Sequence, residues 1–462
     1  MKSKILLFIA IITLSSGCNE EFLDVKPNSA ILNPTTLNEF QQLLDNFREL
    51  NTTGGIQQMS SDDYFIVDKS RFDALTNTQK GAYLWSKDLY AGDANIQDWN
   101  QCFNAIFYSN SVLDGLDGIS LSPEIHKQDY ENLKGQALFY RAYAYFDLAR
   151  NFSPVYSKSS SESDLGLPIR LSSGIDVSVE RSTLGETFSQ IISDLKSAEL
   201  LLKDEFSQQY RNRPSKVAVA AMLARVYLYM GDYNEALNFA QQCLSKYNKL
   251  IDYNGVDTLS LTPFSYSTEE IIFFSYQQTT YSTTTGYGTN QTSIGVNPEL
   301  LALYKTNDLR FPVFFIKNSL GNYNVRRGYV GGGLYPFTGL ATDEILLIKA
   351  ECLARANRTV EALEVLNSLL IHRFKEGLFI PVTADSAEEA LGKILIERRK
   401  ELVWRALRWS DLKRLNRDGF NVTLQRSLDG ETYTLLPNSP LYVFPIPEDE
   451  IALSGIKQNI RE

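Results

Sequence analysis

The sequence predicts an all-α fold made of tetratricopeptide-like helical hairpins, with a loop-rich face and a few short β-strands. Three observations predict this class. Apolar residues recur at intervals of three and four over much of the chain, which is the spacing of a buried helical face. A helix-pair pattern occurs twice, and two polar, glycine-bearing segments without helical period interrupt the second half of the chain.

The N-terminal half contains four predicted helices. Apolar side chains share one helical face in the segments 37–47, 99–116 and 133–152. A fourth helix begins at Thr183, because Thr183-Leu184-Gly185-Glu186 matches a capping box in which Thr and Glu side chains bond free backbone N–H groups. The serine-rich run 157–163 is too polar to bury and predicts an exposed loop.

Two segments match a tetratricopeptide helix pair, namely Val217 to Leu244 and Glu344 to Leu370. In both, small or apolar residues fall at the same offsets and allow two helices to approach closely. Gly231 and Asn357 suit the left-handed turn between the helices of each pair. The alternative is a coincidence of two amphipathic hairpins.

The region between these pairs has a different texture. Glu270 to Tyr276 is rich in branched and aromatic residues and predicts a short strand. The segments 277–297 and 311–340 are polar and irregular, and long irregular segments in compact proteins are often functional.

Composition excludes several functional classes. The 462 residues carry a formal net charge of −10, and the chain has no basic block, so nucleic acid is a poor partner. Only His126 and His372 are present, without metal-ligand spacing, so neither a histidine-built metal site nor a Ser-His-Asp triad is expected. We expect no cofactor, no metal and no catalytic residue.

The first residues predict export and lipid anchoring. Met1 to Lys4 is basic, Ile5 to Leu14 is apolar but shorter than the roughly 20 residues of a membrane span, and Gly17 precedes Cys18. This pattern predicts a lipoprotein signal over residues 1–17, lipid on Cys18 and a tether over 18–34. The alternative is an ordinary secretory signal. The other cysteines form an odd set without C-x-x-C spacing and are expected to be buried: Cys102, Cys243 and Cys352.

Five motifs, spread over most of the chain, resemble the SusD/RagB family of outer-membrane nutrient-binding lipoproteins. They are Gly135 to Phe146, Asp343 to Arg355, Glu397 to Leu402, Arg408 to Arg414 and Pro445 to Ile451. One departure is Trp404-Arg405-Ala406, where the family often has Phe-Glu-Gly; we place this change in the scaffold.

The resemblance implies a SusD-like helical body with a ligand-binding face. It implies an N-terminal region over 35–210 and a C-terminal region over 211–462, packed as one compact body. It further implies a non-enzymatic lipoprotein that lies as a lid over a SusC-like TonB-dependent transporter, with oligosaccharide as ligand and the outer membrane as anchor. The acidic start after Cys18 resembles the surface-export signal of such proteins.

Candidate ligand residues are rings and polar side chains in the irregular segments, because a sugar offers C–H faces and hydroxyls. Of the four tryptophans, only Trp85 lies outside the predicted helix motifs, which makes it a candidate for ligand contact. The alternative is that Trp85 packs at the edge of the body. Asp62 and Asp63 are adjacent carboxylates, and the alternative interpretation is that they belong to a solvated turn or a helix cap. The full candidate set is Asp62, Asp63, Tyr64, Arg71, Tyr83, Trp85, Tyr276, Tyr281, Tyr287, Arg327, Tyr329 and Tyr335.

Three other functions stay open on sequence grounds. Peptide capture is the nearest, a tetratricopeptide-type scaffold that binds only protein is the second, and a carboxylate-based glycosidase is the third. The charged run Glu397 to Glu401 invites a catalytic interpretation, but Glu401 and Arg405 stand four residues apart, so we interpret the run as a solvated ion-pair lattice on a helix.

Overall fold

The computed structural model describes residues 34–462, except 121–126, 175–177, 205, 207–208, 282–283, 285, 327 and 332–335. Within these residues the fold is all-α with few short strands, as predicted. In the same residues, no helix has both the length and the apolar character needed to cross a membrane. Cys18, the signal and most of the tether lie outside the described residues, as do Arg327 and Tyr335.

Seventeen α-helices occur in the described part of the chain. Their bounds are α1 Leu37–Leu44, α2 Phe47–Leu50, α3 Ile56–Ser60, α4 Lys69–Asp73, α5 Asn77–Leu84, α6 Gln97–Asp117, α7 Lys127–Phe152, α8 Leu184–Leu201, α9 Lys216–Met230, α10 Tyr233–Lys246, α11 Pro298–Leu301, α12 Arg310–Phe314, α13 Thr342–Arg355, α14 Thr359–Leu370, α15 Ala387–Glu401, α16 Arg408–Arg417 and α17 Glu448–Ser454.

The strands of the described residues are short and pair two by two. Their bounds are β1 Thr52–Thr53, β2 Tyr64–Ile66, β3 Leu165–Pro168, β4 Arg181–Thr183, β5 Ile271–Phe273, β6 Tyr276–Gln277, β7 Ile294–Val296, β8 Phe315–Lys317, β9 Tyr323–Val325, β10 Leu340–Ala341, β11 Leu424–Leu428 and β12 Glu431–Leu435. The predicted strand over 270–276 is therefore split into β5 and β6. Strand β1 pairs with β6 in parallel and β2 pairs with β7 antiparallel, so residues 52–66, here called the early loop, lie against the first irregular segment, 277–297.

Both predicted tetratricopeptide-like pairs are confirmed, as α9 with α10 and α13 with α14. Gly231 ends α9 with φ +84°, and Asn357 lies between α13 and α14 with φ +60°. These are the left-handed conformations that glycine and asparagine adopt most readily. The capping box at Thr183 is also confirmed, since its hydroxyl accepts from the Glu186 backbone N–H.

The largest apolar core lies along α6 to α10 and takes in rings from distant parts of the chain. Phe139 of α7, for example, meets Phe273 of β5 with ring centroids 4.9 Å apart, and Trp409 of α16 stacks on Phe444. The core thus contains residues from both sides of position 210, and the division there stays a prediction. The three described cysteines are buried, as expected.

The interpretation of residues 397–401 as a solvated lattice is wrong. Arg398, Lys400 and Glu401 are each at most 3% exposed, and Glu401 accepts hydrogen bonds from Arg310 and Arg373, which are fully buried. Helix α15 ends at Glu401, so Arg405 lies beyond the helix instead of one turn along it. Spacing predicts only that charges share a face of a helix, and here that face turns inward.

Candidate functional site

The early loop is held by charge pairs. Asp62 accepts from Arg408 at 2.7 Å and from Arg399 at 2.9 Å. Burial raises the pKa of the Asp62 carboxyl, but these two guanidinium groups outweigh it and hold that pKa well below its usual range. Asp63 is buried, whereas Asp62 is partly exposed, and burial together with the Asp62 charge raises the pKa of Asp63. In the described residues no group of three or more His, Cys, Asp or Glu side chains is placed to hold a metal ion.

Tyr64, Tyr83 and Trp85 surround one arginine. The Arg426 guanidinium lies 5.2, 4.1 and 4.7 Å from the centroids of these three rings, in that order. Trp85 is only 4% exposed, and its Nε1 donates to the Ser60 carbonyl at 2.9 Å. Ligand contact by these rings stays a prediction, and in this structure they pack around a cation.

Other candidates lie apart from this cluster. Arg71 on α4 is partly exposed and pairs with Asp68. Tyr281 is buried, and its hydroxyl is hydrogen-bonded to the Asp98 carboxyl. Tyr276 is half-buried in β6. The predicted set is thus distributed over several places in the body.

Tyr287 and Tyr329 do lie together, in the wall of one cavity of about 60 Å³. The same wall contains Trp404, Arg405 and Arg326. One water molecule needs about 10–15 Å³ of such space, so the cavity has room for a small polar group.

Trp404 and Arg405 carry the polar chemistry of this cavity. Trp404 Nε1 and Arg405 Nε and Nη2 are buried and have no hydrogen-bond partner among the described residues. The third arginine nitrogen, Nη1, donates to Asp343 at 3.0 Å. The Arg405 guanidinium lies against the rings of Tyr329 and Phe337, 5.4 and 4.6 Å from their centroids.

Sequence reasoning missed these two residues because it placed them in a scaffold helix. Trp404 follows the end of α15 and has φ +58°, so the chain turns there and directs both side chains into the cavity wall. The sequence feature that could have identified these two residues is the departure from Phe-Glu-Gly at positions 404–406.

A buried ionic network, formed by Arg310, Arg373, Glu270 and Glu401, lies next to the cavity wall. Arg373 donates to Glu401 and to Glu270, both at 2.6 Å, and Tyr329 donates its hydroxyl to Glu270. Arg310 donates to the other oxygen of Glu401 at 3.0 Å. Burial raises the pKa of Glu270 to about 7, although Arg373 opposes this shift.

An aromatic row, defined as Phe47, Tyr276, Phe274 and Tyr266, reaches the surface beside the cavity. Successive ring centroids along it are 6.2, 6.1 and 4.6 Å apart. Phe47 and Tyr266 are 45% and 40% exposed. Phe274 also packs against Phe337 of the cavity wall, with ring centroids 6.0 Å apart, and both rings are buried, so the row and the cavity share a buried aromatic contact.

Charged and polar groups flank the outer end of the row. Asp45, two residues before Phe47, accepts two hydrogen bonds from Arg213, at 2.7 and 2.6 Å. Both side chains are about one third exposed, so this pair can also face a ligand. Exposed rings beside such groups offer a sugar both a stacking surface and hydroxyl partners.

Comparison with known proteins agrees with this architecture. The family model described as "Starch-binding associating with outer membrane" matches residues 21–228, and the model described as "SusD family" matches residues 341–460. A relative from Formosa agariphila, SusD-like protein P2, is 26% identical over 376 residues, which are 69% of this chain and 71% of the relative.

Solved structures share the fold over nearly the whole chain. A SusD superfamily protein from Bacteroides thetaiotaomicron superposes with a TM-score of 0.75 at 21% identity, covering 92% of this chain and 100% of that one. A SusD-like carbohydrate binding protein from Bacteroides vulgatus gives 0.68 at 20% identity, covering 91% and 97%. The family models and these likenesses coincide with the helical body and the five sequence motifs, and the chain is a member of the SusD/RagB family.

Proposed function

We propose that this protein binds oligosaccharides at the outer surface of the cell and delivers them to a TonB-dependent transporter. The observation that supports the binding role is the aromatic row with its two exposed end rings, Phe47 and Tyr266. A sugar can stack on these rings while its hydroxyls bond to the Arg213 and Asp45 pair. The likeness to the carbohydrate binding protein from Bacteroides vulgatus supports the same ligand class.

Isothermal titration of the purified protein with a panel of glycans tests the binding role. Loss of one ring contact is expected to cost about 0.5–1.5 kcal/mol, or about 2- to 12-fold in affinity, for Phe47→Ala and for Tyr266→Ala. Phe420→Ala is the matched control, since Phe420 is 42% exposed against 45% for Phe47 and does not belong to the row.

Other results of these experiments would indicate a different function or a different binding site. Binding to peptides and to no glycan would replace the ligand class, and binding only to a partner protein would favour a scaffold. Hydrolysis of a bound glycan would make the protein an enzyme. Glycan binding that survives both ring substitutions would place the site away from the row.

The delivery role adds a lipid anchor on Cys18 and a SusC-like transporter as partner. The family description that includes outer-membrane association supports this location. Cys18→Ala should release the protein from the membrane fraction while leaving its glycan affinity unchanged, and copurification with a barrel protein should identify the transporter. Retention of the Cys18→Ala protein in the membrane would refute the lipid anchor.

A further inference from the structure

The cavity beside the aromatic row has more hydrogen-bond donors than the described residues satisfy. Trp404 Nε1, Arg405 Nε and Arg405 Nη2 are all donors, since neither side chain has an acceptor. Trp404 and Arg405 are 5% and 7% exposed, and both line the cavity. An unpaired buried donor is unfavourable, so a cavity with three of them favours a ligand that brings acceptors.

The charges around the cavity favour an anionic acceptor. Arg326 lines the cavity, donates to the backbone carbonyls of Leu259, Ser260 and Phe315, and forms no ion pair with a carboxylate in the described part of the chain. The Asp257 charge acts on Arg326 without forming an ion pair with it, so the guanidinium remains able to bind a further anion.

The carboxylates near the cavity are already paired. Glu401 also lines the cavity, but it lies between Arg310 and Arg373 at 3.0 and 2.6 Å, and both of these arginines are fully buried. Asp343 is paired with Arg405, whose Nη1 donates to it at 3.0 Å. An entering anion thus meets donors and cations, and the acids there are neutralised by their neighbours.

We propose that this cavity is an oxyanion subsite that selects acidic oligosaccharides, receiving the carboxylate of a uronic acid or the sulfate of a sulfated sugar. The inference rests on the proposed glycan-binding function. The cavity has room for one such group, and the contact of its wall residue Phe337 with Phe274 places the aromatic row next to the cavity. Charge-assisted bonds from a guanidinium are the strong form of this contact.

The test is a set of matched ligands titrated against the full-length mature protein. An oligouronate is compared with its carboxyl-reduced counterpart, and a sulfated oligosaccharide with its desulfated counterpart. We expect at least one acidic member to bind about tenfold or more tightly than its neutral partner, the effect of one hydrogen bond to a charged group. The pair that shows the difference identifies the source of the oxyanion.

Two variants assign the preference to the cavity. Arg326→Gln removes the unpaired charge at a partly exposed position, and Trp404→Phe removes one donor while keeping a ring. Both should reduce the acidic preference by about tenfold and leave neutral binding unchanged. Arg181→Gln is the matched control, because Arg181 also donates to backbone carbonyls and lies outside the cavity.

The outcomes separate this inference from the proposed function. Equal affinity for acidic and neutral ligands overturns the oxyanion subsite and leaves glycan binding intact. An acidic preference that persists in both variants also overturns it. Absence of binding to every glycan overturns the proposed function, and the subsite with it.

Discussion

Replacing Arg373 by methionine should remove the central cation of the buried ionic network. Arg373 donates to Glu401, to Glu270 and to the Ile251 carbonyl at 2.6, 2.6 and 2.7 Å. Its guanidinium also lies 4.0 Å from the centroid of the Tyr253 ring. Methionine fills much of the same volume but makes none of the hydrogen bonds.

The expected loss is large because one carboxylate is left without a cation. Glu401 keeps Arg310, but among the described residues the Glu270 carboxylate keeps only the Tyr329 hydroxyl and the Ile251 backbone N–H. Removing one partner of a buried pair typically costs about 3–5 kcal/mol, a large fraction of an ordinary stability of about 5–15 kcal/mol. Adding Glu270→Gln to Arg373→Met should recover about 1–3 kcal/mol, since the stranded charge is gone.

The loss should also depend on pH. Burial raises the Glu270 pKa to about 7 from a usual 4.5, and Arg373 opposes that shift. A group with a raised folded-state pKa contributes stability that is present at low pH and is lost as the pH rises through that pKa. The deficit of Arg373→Met should therefore shrink as the pH falls from 8 to 5, because Glu270 is then protonated.

Urea denaturation followed by tryptophan fluorescence and circular dichroism measures these free energies of unfolding. The control is Arg358→Met, because Arg358 pairs with Glu361 at a surface where the side chains are 43% and 51% exposed. We expect no measurable change in the control, since exposed pairs contribute little. Equal midpoints for the two variants, or a deficit that grows toward low pH, would refute the role assigned to the network.

Three other predictions follow from the fold. Gly231→Ala should lower the free energy of unfolding by about 1–2 kcal/mol in urea denaturation, because φ is +84° and a Cβ would lie 2.8 Å from Arg417 Nη2. Gly392→Ala is the control within helix α15, where a Cβ meets no atom within 4 Å, and it should raise the free energy of unfolding by about 0.5–1 kcal/mol. Burial raises the Asp98 pKa to about 6 from 3.8, so wild-type stability should fall as the pH rises through 6, and Asp98→Asn should flatten that part of the profile. Burial also raises the pKa of the three described thiols, so a thiol reagent should label them only after unfolding: Cys102, Cys243 and Cys352.

The helices were predictable because their signal is local. Residues 133–152 and 217–244 repeat a spacing that only a helix satisfies, and Gly231 marks a turn by its own conformational freedom. Strands such as β2 and β7 contain three residues each, which is too short for an alternating pattern, so the pairing of Tyr64 with Val296 could not be deduced.

The site was less predictable because burial of a charge depends on distant partners. Glu401 faces inward since Arg310 and Arg373 come to it from two other segments, and neither is adjacent in sequence. The same difficulty applies to Trp85, which packs against Arg426 from a distant segment, and to Phe47, which joins the aromatic row through its contact with Tyr276. Counting aromatic residues in the sequence could select candidate residue types but could not predict which of them lie together in the fold.

The ionic network and the proposed oxyanion subsite depend on the same contacts. Glu401 lines the cavity, and an anion can approach it only while Arg310 and Arg373 offset its charge. Arg405 is fixed by Asp343 and by two ring faces, so its unpaired donors are ordered before a ligand arrives and binding loses little entropy. Under conditions where Arg373→Met stays folded, the variant should therefore lose its preference for acidic sugars and still bind neutral ones on the aromatic row. A variant that lost both equally would show that the network supports the whole face rather than the cavity.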